Sequence, residues 1–440
     1  MKRAALLGRL SVLLALTLLA GCGGGGGGSS GSSSSGGTTT PVALTNFTTV
    51  TVDAGPSVLA QGPNGYIEDN VAYVTITLCA PGSTTNCQTI DHVQLDTGSV
   101  GLRVFQSVLN ATLLSALPNQ TDTSSNPVGE CYGFVDSYMF GSVRTADFSI
   151  GGEKVSSLPF QVAGDDGAFA AVPSLCSSGS GTDLNTVTSL GANGLLGIGA
   201  TTTDCGSYCT VAGGYGTAIY YDCPSMGCSA IIGRTASASA PFQQLINPIV
   251  GMPVDNNGSI ISLPAAPAAG ETSLTGTLYF GIGTQTNNTL GSATVLTTTT
   301  SSSTDGAGFV TALYNGQTLA DSYIDSGSSL YLFVDTTITP CTGTYAGYYC
   351  PASPLALSPT IQGTNNASAS AAFTLYNAAT ALATNNSVTP GLGANPDVLN
   401  ILNGYPNSFD FGLPFFFGRN VYLAIEGRTA GGTTGPYVAF

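Results

Sequence analysis

Ile90-Asp91-His92-Val93-Gln94-Leu95-Asp96-Thr97-Gly98-Ser99 decides the fold once it is set beside Gln317-Thr318-Leu319-Ala320-Asp321-Ser322-Tyr323-Ile324-Asp325-Ser326-Gly327-Ser328. Each is a β-prone run that ends in Asp, a hydroxyl residue, Gly and Ser, and the two aspartates stand 229 residues apart. Each run also reads as the second arm of a hairpin. Ile90–Leu95 follows the strand Val71–Leu78 across a turn bounded by Cys79 and Cys87, and Gln317–Ile324 follows Gly308–Tyr314 across Asn315-Gly316, a strong hairpin turn. One Asp-Thr-Gly is ordinary turn chemistry. Two copies, each after a strand and each with Ser in the fourth place, form an internal repeat that calls for a chemical reason.

The residue types supply that reason. An Asp at a strand end projects from a rigid base, and Gly two places on lets backbone N–H groups approach the carboxylate with no Cβ in the way. Thr97 and Ser326 can lock their loops, while Ser99 and Ser328 can donate to the carboxylates and favour ionisation. Two such loops facing each other would hold a carboxyl pair that shares one proton, because like charges so close do not both ionise. The ionised member would take a proton from water and the protonated member would polarise a carbonyl. The candidate catalytic residues are therefore Asp96 and Asp325, supported by Thr97, Gly98, Ser99, Ser326, Gly327 and Ser328.

The rest of the chain narrows the alternatives. Its 440 residues include 59 Gly, 23 Pro, a single His and no Trp, with 42% hydrophobic and 8% charged residues. That is the composition of an all-β protein with many turns and not of an acidic disordered tail. His92 alone cannot build a zinc site of two or three histidines, and its place four residues before Asp96 makes it a strand residue. Gly27-Gly28-Ser29-Ser30-Gly31 matches the serine-hydrolase pattern but has no strand before it, so it is a chance match.

The N-terminus reads as an export signal: Lys2, Arg3 and Arg9 flank the apolar run Leu10–Leu19, too short to span a bilayer. Leu19-Ala20-Gly21-Cys22 resembles a bacterial lipoprotein signal, which implies lipidation at Cys22, and residues 23–43 form a Gly/Ser/Thr-rich tether. A lipid there places the protein in the cell envelope, at the outer membrane. Loss of the leader leaves 6 basic and 24 acidic residues, a net charge of −18, which repels nucleic acid and limits charge build-up in acid. The remaining ten cysteines suit disulfides in an oxidising compartment. Cys79 with Cys87, Cys341 with Cys350 and Cys131 with Cys176 are the pairings expected. Cys205, Cys209, Cys223 and Cys228 have spacings that could mimic a zinc site, though export favours disulfides whose pairing stays open.

On these motifs the chain after residue 66 resembles the bilobal pepsin-like aspartic proteases. Ile90–Val104 and Tyr323–Leu332 look like the two active-site strands and loops, and Gly194-Leu195-Leu196-Gly197-Ile198-Gly199 resembles the strand that braces the first. Tyr132-Gly133 with Gly141–Gly152 is similar to the flap hairpin, Thr275–Gly283 to the strand opening the second lobe, and Phe411-Gly412 with the following residues to the C-terminal end. The resemblance implies that Asp96 and Asp325 are catalytic and that Tyr132 is the flap tyrosine. It also marks departures. Val100 and Arg103 stand where the family has a hydroxyl residue and a Trp that meets the flap tyrosine, and Asp410 stands where an apolar residue is usual. An inward Arg103 would lower the carboxyl pKa values, and Asp410 would weaken the second bracing strand.

The expected architecture is a two-lobed, pepsin-like all-β fold with the active-site cleft between the lobes. Residues 1–22 are the signal, 44–272 the N-terminal lobe with a Cys-rich insertion at about 165–235, and 273–440 the C-terminal lobe. The expected function is that of a monomeric, lipid-anchored aspartic endopeptidase acting on peptides or proteins without metal or organic cofactor. The rivals are a catalytically silent pepsin fold that binds a protein or glycan, and a structural surface lipoprotein. The position of Arg103 separates the first two: away from the carboxyl pair favours the enzyme, capping it favours the binder.

Overall fold

The computed structural model describes residues 46–61, 65–177, 181–206, 218–225, 227–231, 243–301, 307–399 and 407–440. The leader, Cys22, the tether and Cys209 lie outside the described residues. The first hairpin shows how the sequence makes its strands. Ala72–Cys79 turns Ala72, Val74, Ile76 and Leu78 to the core and pairs with Cys87–Asp96, which starts three residues before the expected Ile90. Strict alternation from Ile90 would bury His92 and Gln94. A bulge opposite Val74 and Ile76, with His92 at φ +47°, shifts the parity so that Val93 and Leu95 follow Ile90 into the core. His92 itself lies on the outer side, 3.3 Å from Asp53 and 3.0 Å from Asp91.

The same two-armed loop is built twice. Gly194–Ile198 runs parallel to Cys87–Asp96 and antiparallel to Val100–Phe105, so it enters between the strands leading into and out of the Asp96 loop. In the second half Asp410–Phe411 runs parallel to Gln317–Ile324 and antiparallel to Tyr331–Leu332. Asp410 does not prevent this second bracing strand: its backbone pairs on both sides. The Asn315-Gly316 turn has φ of +49° and +74° and closes Tyr314 onto Gln317. Behind the second loop the core is aromatic, with Phe409 stacked between Phe333 at 4.6 Å and Phe411 at 4.3 Å.

A shared antiparallel platform joins the halves. Phe47–Val52 pairs with Leu274–Phe280, which pairs with Gly258–Leu263, then Arg419–Ala424, Tyr437–Ala439 and Val295–Thr297. Strands from both ends and the middle of the chain meet there, and Phe47–Val52 also pairs with Ala72–Cys79 to merge the platform with the first half. Helices are short, with six residues in Ala111–Ala116, and no described helix is long and apolar enough to cross a membrane. Disulfides join Cys79–Cys87, Cys131–Cys176 and Cys341–Cys350 as expected, and also Cys223–Cys228, a pairing the spacing had left open. Ala218–Asp222 adds to the edge of Val128–Gly133, lengthening the main sheet. Two copies of one loop architecture on a common platform make this a two-lobed, pepsin-like all-β fold.

Candidate active site

Asp96 ends one strand and Asp325 directly follows another, so each carboxyl is held by a β-ladder. Asp96 Oδ1 accepts the Gly98 N–H at 2.7 Å and its Oδ2 accepts the Ser99 hydroxyl. Asp325 Oδ1 accepts the Gly327 N–H at 2.8 Å and its Oδ2 the Ser328 hydroxyl at 2.8 Å. The loops face each other. A Cβ on Gly98 would lie 2.7 Å from Asp325 Oδ1, and one on Gly327 would lie 2.5 Å from Asp96 Oδ1. Each glycine is therefore demanded by the carboxyl of the opposite loop.

Thr97 and Ser326 interlock the two loops reciprocally. The Thr97 N–H donates to Ser326 Oγ at 3.1 Å and the Ser326 N–H to Thr97 Oγ1 at 2.9 Å. The Thr97 hydroxyl donates to the Ile324 carbonyl at 3.0 Å and the Ser326 hydroxyl to the Leu95 carbonyl at 2.8 Å. Both side chains are buried, so a lost hydroxyl strands its partners away from water. Thr97→Val is expected to lower unfolding free energy by about 1–3 kcal/mol, as is Ser326→Ala. The double variant should fall short of the sum, because the two share partners. Urea unfolding of the three variants checks this.

Electrostatics divide the pair. Asp96 is buried while Asp325 is half-buried. Burial and the Asp325 charge push the Asp96 carboxyl up to about 8, aided by hydrogen bonding with Asp325 and opposed by the Ser99 and Gly98 donors. The two carboxyls face each other too closely for both to ionise, so the pair holds one proton between them.

Arg103 points away from this pair. Its fully buried guanidinium donates to Glu130 Oε1 at 2.6 Å and to the Val100 carbonyl at 3.0 Å, lies 3.8 Å from Asp204, and covers the Tyr132 ring at 3.9 Å. Burial and the neighbouring Glu130 hold the Asp204 carboxyl well above the carboxylate range. The contact that the resemblance gives to a Trp and the flap tyrosine is thus made by Arg103 on Tyr132. Tyr132 and Gly133 close the strand Val128–Gly133, whose hairpin with Ser137–Ile150 turns through Phe134–Asp136, and the Tyr132 ring is buried beneath Arg103.

Several contacts around the site were not anticipated. Gln94 Nε2 donates to the Gly327 carbonyl at 3.0 Å. Asn70, at φ +52°, bonds the Ser329 carbonyl at 3.1 Å and both the carbonyl and the N–H of Thr389, tying the first hairpin to the second loop. A polar residue two places before Asp96 was a visible signal for Gln94. Glu130 was signalled only indirectly, since a buried arginine requires a carboxylate. Asp410 is fully buried beside the Asp325 loop. Cys205, Cys223 and Cys228 are disulfide-bonded, and among the described residues no group of three or more His, Cys, Asp or Glu is placed to hold a metal.

A family model described as "Protein of unknown function (DUF3443)" matches residues 42–440. No curated protein matches the chain in sequence. Among solved structures, the aspartic proteinase from Irpex lacteus aligns over 89% of this chain and 96% of its own, with 16% identity and a TM-score of 0.48.

Proposed function

We propose that this chain, which belongs to the DUF3443 family of proteins of unknown function, is an aspartic endopeptidase of the pepsin-like type. The observation that carries the reading is the facing carboxyl pair: Asp96 and Asp325 stand on two loops that lock each other in place, close enough to share one proton. A water between them would give a proton to Asp325 as its oxygen attacks the peptide carbonyl carbon, while the Asp96 proton passes to the carbonyl oxygen. The resulting gem-diol would return a proton to Asp96 and break its C–N bond, with Asp325 protonating the leaving nitrogen. Atoms and charges close over the cycle, and no metal or organic cofactor is required.

The substrate is a peptide or protein in extended form. The protein would act as a monomer on the outer membrane, exported and held there through lipidated Cys22. A silent fold that only binds had its best support in Val100, Arg103 and Asp410; of these, Arg103 was to decide, and the engagement of its guanidinium by Glu130 favours the enzyme. Digestion of a mixed-peptide library at pH 3 to 7, read by mass spectrometry, tests the reading. New peptide termini, suppressed by a mimic that carries a hydroxyl in place of the attacked carbonyl, are expected. No cleavage at any pH by folded protein would leave the silent binder as the better account.

A further inference from the structure

The loop that carries Asp325 is gripped by side chains of the first hairpin. Tyr73 pairs with Gln94 at the open end of that hairpin, and Asn70 stands three residues before Tyr73, so two amide side chains leave the same end. Gln94 Nε2 donates to the Gly327 carbonyl at 3.0 Å. Asn70 Nδ2 donates to the Ser329 carbonyl at 3.1 Å and to the Thr389 carbonyl at 2.9 Å, while its Oδ1 accepts the Thr389 N–H at 2.8 Å. The two carbonyls taken from the second loop flank Ser328. The Ser328 hydroxyl and the Gly327 N–H are in turn the donors that hold the Asp325 carboxyl. Whatever fixes these carbonyls therefore fixes the donors to Asp325.

Asn70 is buried, so each of its polar atoms must find a partner inside the protein. Its amide nitrogen and its oxygen both do so, and with the two exchanged the oxygen would face two carbonyls. The backbone takes φ +52°, a left-handed value that Asn tolerates and most residues resist, and its N–H donates to the Ser387 carbonyl at 2.7 Å. Thr389, which Asn70 grips on both sides, leads to Gly393–Ala394, and that strand pairs with Tyr331–Leu332 as it leaves the second loop. One side chain thus holds the loop and the segment that braces its exit. The first loop is held differently. Tyr323 occupies the place of Gln94 in the second motif, with its ring edge-on to Phe309 at 6.1 Å. The Val100 carbonyl, which corresponds to that of Ser329, accepts from Arg103 of its own lobe.

We infer that Asn70 and Gln94 are positioning residues of the site: two amide donors from the first lobe that grip the carbonyls on either side of Ser328 and so set the Asp325 carboxyl at its distance from Asp96. The interlock of Thr97 and Ser326 is reciprocal and joins the loops just beyond their aspartates. The amides act on one loop only, on the stretch from Gly327 to Ser329 that supplies its carboxyl with donors. Like charges repel in inverse proportion to their distance, so freeing that stretch should weaken the coupling of the pair as well as misplace its water. The inference rests on the endopeptidase reading for its kinetic consequence and not for its electrostatic one, so two measurements are needed.

The first is kcat and KM on a cleavable peptide for wild type, Gln94→Met and Asn70→Gly. Met keeps the length of Gln without its donor, and Gly keeps the left-handed backbone of residue 70 without the amide. Each should lower kcat about ten-fold and leave KM within about two-fold, since a misplaced carboxyl costs the transition state more than the bound substrate. Asn257→Ala is the control for stability alone. It too removes a multiply bonded amide, one that donates to the Ile282 and Thr429 carbonyls and accepts the Ile282 N–H, and it should leave kcat unchanged. The second is a carbon-13 titration of the aspartate carboxyls in the full chain, which needs no activity. The two steps of the pair should lie about half a pH unit closer together in Gln94→Met than in wild type, and Asn257→Ala should keep the wild-type separation. Gln94→Met gives up one bond to the loop, so it decides the matter even if Asn70→Gly does not fold. Inactive wild type, with the steps drawn together in Gln94→Met, would sink the endopeptidase reading and uphold the two amides as positioning residues. Wild-type kcat in folded Gln94→Met, or an unchanged separation of the two steps, would overturn the inference whatever stability is lost.

Discussion

Asp96→Asn and Asp325→Asn are each expected to reduce peptide cleavage by roughly 10³-fold or more, with the double variant little worse than either. The non-additivity follows from the shared proton: a pair that activates one water loses its function when either member can no longer exchange protons. Asn keeps the shape of Asp: in Asp96→Asn the amide oxygen can still accept the Gly98 N–H while the amide N–H donates to Ser99 Oγ, so both variants should fold. Stability supplies an independent readout. Because the Asp96 carboxyl is pushed from the ordinary 3.8 up to about 8, mainly by burial and then by the Asp325 charge, between those values the folded chain holds a proton that the unfolded chain has released. Wild-type stability from this group is fully present below 3.8 and is lost progressively as pH rises through about 8. Asp96→Asn should therefore match wild type near pH 3.5 and gain on it steadily up to pH 8 in urea unfolding. Cleavage by wild type should fall over the upper part of the same window, as the Asp96 proton is lost. Equal cleavage by wild type and both single variants would refute the assignment.

Arg103→Met is expected to destabilise the fold by about 3–5 kcal/mol, the cost of leaving buried carboxyls without their cation. The guanidinium serves Glu130, the Val100 carbonyl and the Tyr132 face at once, and none of these can reach bulk water. Arg103→Lys should recover only part of the loss, since a point charge cannot reproduce the planar fork and the stack together. Combining Arg103→Met with Glu130→Gln should be milder than Arg103→Met alone, because one stranded carboxyl is removed with the cation. Added salt should change these differences little, as the pair is sealed from solvent. Urea unfolding at 0.05 and 0.5 M salt decides the matter, and a loss below 1 kcal/mol for Arg103→Met would mean that the carboxyls neutralise themselves by taking up protons. Tyr132 links this cluster to the hairpin of Val128–Gly133 with Ser137–Ile150, and under the proposed endopeptidase reading, in which that hairpin covers the substrate, the same variant should also raise KM more than it lowers kcat.

The sequence by itself determined what depends on near neighbours. The Asp-hydroxyl-Gly-Ser loops, the Asn315-Gly316 turn and the Cys79–Cys87 and Cys341–Cys350 clips are local, and their residue types encode turn geometry and strand ends directly. The pairing of Asp96 with Asp325 was legible as well, because a repeated motif with a carboxyl at each apex has little use for its copies apart. What lies between strands far apart in the chain was decided only in three dimensions. The bulge at His92, which turns Val93 and Leu95 inward, comes from pairing across the hairpin, so alternation counted along Ile90–Asp96 alone assigns the wrong face. The direction of Arg103 depends on Glu130 lying on a neighbouring strand, and the isolation of Asp410 depends on two strands closing over it from either side. Asn70 reaches Thr389 across 319 residues of chain. In each case the residue is polar in an apolar setting, a conflict the sequence displays, while its resolution belongs to tertiary packing: a buried charge or donor takes its role from whichever partner the fold brings within about 3 Å.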